Sequence, residues 1–178
     1  MLIGGDPIQS FTDGTTESDL ADAIYEDIVR AALTSSRWRF ATKQFQLNRL
    51  ADVPIGRWDS AYQLPADSLM VNAITVQDLP IEYDTYEDKI YNNAVAADEV
   101  IADYIYRASE SSWSPYFTLG LEFSVASIFA LSLARDASLS GAMDQQAQIQ
   151  LIKARRLDSQ TQTTRKLNTT RFVSQRRS

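Results

Sequence analysis

The stretch PYFTLGLEFSVASIFALSL, residues 115–133, decides the fold of this 178-residue chain. Ser114 and Pro115 predict a clean helix start, with serine at the cap and proline at the first helical position. From there to about residue 136 the helix is apolar on nearly every face, which requires burial on all sides. We interpret it as a helix that packs against neighbouring subunits, the alternative being a central core helix. The side chains expected at the subunit contact are Phe117, Leu121, Phe123, Val125, Ile128 and Phe129.

The same stretch is the only one that resembles a membrane span. It carries Glu122 near its middle and several hydroxyl side chains along its length. A charge at the centre of a bilayer costs ~2.5–3.5 kcal/mol even on the scale that penalises it least. We therefore expect no membrane partner.

Two further helices are predicted, one before and one after this stretch. Apolar residues that recur every four positions predict a helix over about residues 17–34. Thr16, with Asp19 three residues later, is its expected cap. A last helix, over about residues 141–162, has one glutamine-rich face and one apolar face. The apolar face carries Met143, Ala147, Leu151 and Ala154.

The middle of the chain, about residues 40–107, has the pattern of a β subdomain. Residues 40–50 are expected to be extended, and the β-branched run 70–77 predicts a strand. Residues 81–86 and 89–91 are expected to pair across Glu87 and Asp88, and 99–107 is a further strand whose composition also permits a helix. The predicted fold is α+β and mainly α: a bundle of about three to four helices with a small antiparallel β subdomain inserted in the middle. Residues 1–163 form the body, and residues 164–178 form an extended C-terminal arm.

The composition excludes several classes of enzyme. The chain has no cysteine and no histidine. It therefore has no disulfide or thiolate metal site, and it lacks the commonest general base and the commonest nitrogen ligand for metals. Serine–histidine and cysteine–histidine catalysis are impossible. We expect no cofactor, no metal and no enzymatic activity. The start of the chain shows no signal-peptide pattern, so we expect it to fold in a host cytoplasm.

Carboxylates supply the remaining chemical alternatives. Glu26-Asp27, Glu87-Asp88 and Asp98-Glu99 are adjacent pairs, whereas a glycosidase needs two carboxylates across a cleft. Asp84, Glu87 and Asp88 cluster in sequence, but they lack the ligand spacing of an EF-hand loop. A virion-associated carboxylate hydrolase acting on cell walls stays open as an alternative.

The charge is distributed unevenly along the chain. Residues 1–110 carry 19 acidic and 8 basic side chains, whereas residues 111–178 carry 4 acidic and 9 basic ones. This polarity indicates an acidic body with a basic arm. Aromatic residues next to basic ones occur at Trp38, between Arg37 and Arg39, but an anionic body repels duplex DNA, so we expect no specific DNA binding. The large aromatic residues of this region are interpreted as anchors of the hydrophobic core, without a chemical role; they are Trp38, Phe40, Trp58 and Tyr62.

An ordered set of short motifs resembles the tail tubular protein A and head-to-tail adaptor family of tailed phages. The match covers about residues 17–75. It consists of Leu33-Thr-Ser-Ser-Arg-Trp38-Arg-Phe40-Ala41-Thr-Lys, followed by Leu50, Pro54, Trp58, Ala61-Tyr62 and Leu64-Pro65-Ala66-Asp67.

The resemblance implies a structural neck protein of the virion. It implies a ring, expected to be dodecameric, that docks under the portal protein and continues the DNA channel. The β part, near residues 70–91, would face the next tail component, a nozzle or tail tubular B-like protein. The arm would lodge between portal subunits through Arg165, Lys166, Leu167, Arg171, Phe172, Val173, Arg176 and Arg177. The motif residues Trp38, Phe40, Ala41, Trp58, Tyr62, Leu64 and Pro65 would fix the junction with the β part.

The residues alone favour the same role on three counts. The helix over residues 115–136 is too apolar to be exposed and therefore requires neighbouring subunits. The arm, residues 164–178, has no acidic side chain and is suited to an acidic partner, on which it would become ordered. A ring of acidic subunits would repel duplex DNA and so let it pass through the channel without binding it. A different neck component, such as a head-completion or tail-terminator protein, is the closest alternative, because it would share the ring but not the portal-docking arm.

Overall fold

The computed structural model describes residues 10, 12–51, 54 and 56–161, and these residues form a mixed α+β structure. They contain three α-helices, which are α1 (Thr16–Thr34), α2 (Pro115–Ser132) and α3 (Ala137–Gln160). The strands between α1 and α2 are β1 (Thr42–Gln46), β2 (Ser60–Gln63), β3 (Ser68–Val76), β4 (Leu79–Pro80), β5 (Asp84–Tyr86), β6 (Lys89–Asn92) and β7 (Val100–Tyr106).

The cap of helix α1 is Thr15, one residue before the predicted cap. The Thr15 hydroxyl accepts a hydrogen bond from the Ser18 backbone N–H at 3.1 Å, and the Ser18 hydroxyl accepts one from the Thr15 N–H at 3.0 Å. The two residues form a reciprocal capping box, in which serine takes the place usually held by glutamate or glutamine. The predicted cap of Thr16 with Asp19 is therefore wrong by one position.

The predicted start of α2 is confirmed, but its end and the start of α3 are not where the sequence placed them. Ser114 caps α2 and Pro115 is its first residue. Helix α2 ends at Ser132, four residues early, and the chain turns through Arg135, whose φ is 53°. Asp136 then caps α3 by accepting a hydrogen bond from the Leu139 N–H at 2.9 Å. This cap starts α3 four residues before the predicted position, because an aspartate at the cap satisfies an otherwise unpaired N–H.

Two antiparallel sheets account for the middle of the chain. One has the strand order β1-β7-β3-β4 and the other β2-β6-β5. The predicted hairpin across residues 87 and 88 is confirmed, with Tyr86 opposite Lys89 and Glu87 at a φ of 56° in the turn. The extended run predicted over residues 40–50 is wrong at its start, where a short 3₁₀ turn, Arg39–Ala41, precedes β1. Within the predicted range 99–107, Val100–Tyr106 form a strand and not the helix that the composition also allowed.

Strand β7 separates two hydrophobic clusters. Its side chains alternate, so that Ile105 belongs to a cluster with the helices, while Tyr104 belongs to a cluster between the two sheets. Helix α3 packs along α2, whereas α1 divides its contacts among α2, β3 and β7. The helical cluster contains Val29, Leu33, Trp38, Phe117, Leu121 and Ala154, and the inter-sheet cluster contains Leu47, Tyr62, Ile74, Ile90 and Val100.

Candidate interaction surfaces

The inner face of the α2–α3 pair is closely packed. A Cβ atom placed on Gly120 of α2 would lie 2.8 Å from Leu151 Cδ2 of α3, so the two helices approach closely because glycine has no side chain. Ala147 and Ala154 are buried one turn to either side of Leu151. These small residues lie on the α3 face that the sequence predicted to be apolar.

The predicted subunit-packing residues of α2 divide into two groups. Phe117 and Leu121 are buried in the helical cluster of their own chain, so they do not lie at a surface open to another copy. Their assignment to a subunit contact is corrected, because both belong to the core of their own chain, where the rings of Trp38 and Phe40 contact Phe117. The remaining four are only half-buried in the single chain, and they are Phe123, Val125, Ile128 and Phe129.

Large apolar side chains of both helices are also exposed. Leu131 near the end of α2 is 56% exposed, and Ile149 and Ile152 of α3 are 38% and 46% exposed. Ile149 and Ile152 are three residues apart and opposite the buried face of α3, so they form one outward patch. The sequence analysis described this face as glutamine-rich and missed the two isoleucines, whose spacing was the available signal.

The motif segment after α1 makes an aromatic cluster against α2. Trp38 is buried, and its indole Nε1–H donates to the Ala32 carbonyl at 2.8 Å. The rings of Trp38 and Phe40 lie 4.9 and 5.0 Å from the Phe117 ring, both in edge-on geometry. Trp113 approaches the same ring at 5.3 Å. The cluster joins the end of α1 to the start of α2.

The other motif residues have different surroundings. Ala41 is buried in the helical cluster and Tyr62 in the inter-sheet cluster, where Leu64 packs against it. Pro65 is half-buried. Trp58 is not a core anchor: it is half-buried, and the Arg57 guanidinium lies 5.0 Å from its ring centroid. A tryptophan between charged neighbours in a loop was therefore read wrongly as core.

The acidic residues near the β5–β6 turn bind different partners and do not converge. Asp84 accepts hydrogen bonds from Arg57, from Trp58 Nε1 at 3.0 Å and from the Tyr86 hydroxyl at 3.1 Å. The hydrogen bond from Arg57 lowers the pKa of Asp84. Asp88 instead accepts from Gln63 Nε2 at 2.6 Å. Across residues 10–161, apart from the few undescribed ones, no three acidic side chains are grouped as metal ligands.

A charged network fixes α1 to the segment after β7. Glu26 accepts from Arg30 Nε at 2.7 Å and from Arg107 Nε at 3.0 Å, and Arg107 also donates to Glu110 at 2.6 Å. The Tyr25 hydroxyl donates to Glu110 at 3.3 Å. The hydrogen bond from Arg30 lowers the pKa of Glu26, and the one from Arg107 lowers the pKa of Glu110. Both carboxylates are thereby held in their charged form, so Glu26 is a structural ion-pair partner in this network.

A basic cleft lies between β1 and the end of α3. It has a volume of about 690 Å³, and its lining residues include four cationic ones, Arg37, Arg39, Lys43 and Arg155, and two acidic ones, Asp103 and Asp158. Arg37 donates to Asp103 at 3.3 Å and Lys43 to Asp67 at 2.8 Å. Arg155 donates to the Ser35 hydroxyl at 3.1 Å. This cleft was not predicted, because Arg37 and Arg39 are more than a hundred positions away from Arg155.

The predicted portal-docking arm, residues 164–178, lies outside the described residues. Among the described helices, α2 is long and apolar enough to cross a membrane by length and composition alone, a test that core helices of soluble proteins also pass. Comparison of the sequence with family models and with curated proteins found no match.

Proposed function

We propose that this chain is a structural head-to-tail adaptor of a tailed phage, not an enzyme. Copies of it form a ring, of twelve in the family it resembles, that docks under the portal protein and continues the channel for duplex DNA. In this proposal the helices make the body of the ring, the two small sheets face the next tail component, and residues 164–178 bind the portal. The protein belongs to the neck of the virion.

The observation that carries the proposal is the incomplete burial of α2. Four large apolar side chains of this helix, from Phe123 to Phe129, are only half-buried, and Leu131 is exposed. A helix that is apolar all round is stable when every face is covered, and one copy of the chain does not cover every face of α2. Val125, Ile128 and Phe129 are spaced three and four residues apart, so they lie on one side of α2. Uncovered apolar surface of this kind marks sites of protein association. In a ring, a neighbouring copy of the chain would cover this surface of α2.

Two other features support the same role. The resembling motif residues Trp38 and Phe40 pack on Phe117, so the motif that carries the family likeness also anchors the helix that carries the apolar surface. Within the sequence pairs, Glu26 accepts a hydrogen bond from Arg107, Asp88 from Gln63 and Asp98 from the Val95 N–H. A glycosidase needs two carboxylates facing one another across a cleft, whereas these three have partners of their own.

The decisive experiment is co-sedimentation with DNA-filled, tailless heads of the same phage. Full-length protein is compared with a version that ends at Thr163 and with a full-length version whose arm has glutamine in place of its basic side chains. We expect only the unmodified protein to bind strongly. The residues replaced by glutamine are Arg165, Lys166, Arg171, Arg176 and Arg177.

Each result separates the candidates. Binding by the truncated protein contradicts the portal-docking arm and favours another neck component, such as a tail terminator. Failure of the full-length protein to bind overturns the adaptor proposal. If the protein alone releases soluble fragments from purified cell walls, the adaptor proposal is replaced by the hydrolase alternative.

A further inference from the structure

The basic cleft lies beside an open sheet edge. Strand β1 is at the end of the order β1-β7-β3-β4, and no described strand pairs with its outer side. Gln44 of β1 lies opposite Asp103 of β7, so the two side chains share the sheet face that forms the cleft floor. Unpaired backbone N–H and C=O groups along this edge therefore run next to cationic side chains.

Strand β1 differs from the other edge strands of the described sheets. With five residues it is the longest of them: β2 has four, β5 three and β4 two. Strand β4 contains Pro80, which blocks pairing, and Arg49 already forms a bridge with Tyr62 of β2. On the side of β1 away from the cleft, Phe45 is 47% exposed. An edge that is long, open and flanked by an exposed aromatic ring is suited to accept a further strand.

We propose that the basic cleft and the open edge of β1 bind an extended acidic segment of another protein, added to the four-stranded sheet as a fifth strand. In strand addition the backbone hydrogen bonds provide affinity, and alternate side chains provide specificity. Every second side chain of the added strand points to the cleft face. Carboxylates at these positions meet Arg37, Arg39 and Arg155.

The acidic segment is assigned to a different protein, because the ends of this chain carry almost no acid. Its acidic side chains in α1 and in the β5–β6 hairpin belong to elements that are already folded. Residues 1–9 contain a single acid, Asp6, and residues 162–178 contain none. Nucleic acid has the required charge but no backbone N–H and C=O pattern to pair with a strand edge.

The test uses purified full-length protein and a short fluorescent peptide of alternating threonine and glutamate, with binding followed by anisotropy. The control peptide has lysine in place of glutamate and should not bind. Affinity for the glutamate peptide should fall as salt is raised, since solvent-exposed charges are screened. Equal binding of the two peptides overturns the proposal.

Two variants with the same loss of charge locate the site. The first replaces two cleft cations, Arg39→Gln with Arg155→Gln, and the second replaces two exposed cations on the outer face of α3, Lys153→Gln with Arg156→Gln. The cleft variant should bind the glutamate peptide about tenfold more weakly, and the control variant should bind almost as the unmodified protein does. If both variants bind the glutamate peptide equally weakly, the peptide does not bind in the basic cleft. Circular dichroism confirms that both variants are folded.

Backbone methylation separates strand addition from simple charge attraction. One peptide is methylated on the nitrogens of its glutamates and another on those of its threonines. Along a strand these two sets of N–H groups point to opposite edges, so only one set faces β1. One methylated peptide should therefore bind at least about tenfold more weakly than the other. Equal affinities overturn strand addition, and competition by a duplex DNA oligonucleotide that depends on Arg39 and Arg155 reassigns the cleft to nucleic acid.

Discussion

Helices α1 and α2 have nearly equal lengths, 19 and 18 residues, but different relations to the rest of the chain. Helix α1 buries one stripe, which includes Ala21, Val29 and Leu33, and places acidic residues on the side that faces water. Helix α2 has no polar side, and Glu122 is its only charged residue. The single chain covers α1 as its sequence requires, and it leaves part of the apolar surface of α2 uncovered.

This difference is the basis for the association surface proposed on α2. Where polar residues alternate with apolar ones at helical spacing, the pattern matches one buried and one solvated face. Where the apolar pattern extends further than the chain's own packing, the excess side chains are suited to contact another copy. Within α2 the division falls between Phe117 and Leu121, which are buried, and the half-buried residues after them.

The largest effect is expected from Phe117→Ala. The substitution removes a fully buried ring that contacts Trp38, Phe40 and Trp113. Replacing a core phenylalanine with alanine lowers the free energy of unfolding by about 3–5 kcal/mol. Urea unfolding at low protein concentration measures the loss. Phe123→Ala, on the half-buried part of the same helix, should cost clearly less, and equal losses would contradict the division of α2 into inner and outer parts.

The second-largest loss of stability is expected from Gly120→Ala, which tests how closely α2 and α3 pack. Gly120→Ala would place a Cβ 2.8 Å from Leu151 Cδ2 and 3.4 Å from the Leu151 backbone nitrogen, so the helices must separate or repack. We expect a loss of about 1–3 kcal/mol in the free energy of unfolding. Gly141 of α3 provides the control, because a Cβ there meets no atom within 4 Å. Gly141→Ala should stabilise the protein by about 0.5–1 kcal/mol through helix propensity, and a similar gain at Gly120 would contradict the close contact.

The sequence predicted the elements whose signals are local. Helix α1, the capped start of α2 and the β5–β6 hairpin follow from periodicity, a Ser-Pro pair and a two-residue turn. The end of α2 was missed, because apolar composition continues past Ser132 and the turn depends on Arg135 at positive φ and on the Asp136 cap. Local sequence gives no sign that a non-glycine residue will adopt that conformation.

Contacts between distant parts of the chain could not be predicted in this way. Phe117 looks the same in sequence as Phe123, and only the position of Trp38 and Phe40 decides which of them is buried. Trp58 was expected in the core from its size, although it lies at the surface beside Arg57. The basic cleft combines residues 37–43 with residues 155–159, and no pattern within either segment indicates the other.

A smaller effect on stability is expected from Glu26, whose ion pairs attach α1 to the segment after β7. Helix α2 has no ion pair of this kind with the described residues. The pKa of Glu26 is lowered from its ordinary value of 4.5, first through its hydrogen bond from Arg30. Its charged form is thus favoured in the folded state, so the stabilisation is present above the ordinary pKa and is lost as pH falls through the lowered one. Glu26 is 44% exposed, and solvent screening keeps the contribution below about 1 kcal/mol.

The measurement for Glu26 is the free energy of unfolding at neutral pH and at about pH 3, compared with Glu26→Gln. The unmodified protein should lose more stability on acidification than the variant, because the variant has no carboxylate to protonate. Asp27→Asn is the control on the same helix, since Asp27 makes no ion pair with any described residue. An equal change in the pH dependence for both variants would contradict a specific role for the Arg30–Glu26–Arg107 network.

The smallest effect on stability, and the most informative about α2, is expected from Leu131→Lys. Leu131 is 56% exposed in the single chain, so a lysine there should change the free energy of unfolding by no more than about 0.5 kcal/mol. The same lysine would place an unpaired charge in any contact that covers this end of α2, and the number of copies bound per tailless head should fall sharply. Ala23→Lys adds the same charge at an exposed position of α1, on the side where acidic residues face water, and serves as the control. If both variants bind heads as the unmodified protein does, the end of α2 faces water as the acidic side of α1 does. If only Leu131→Lys fails, the excess of apolar residues in α2 is there for a second copy.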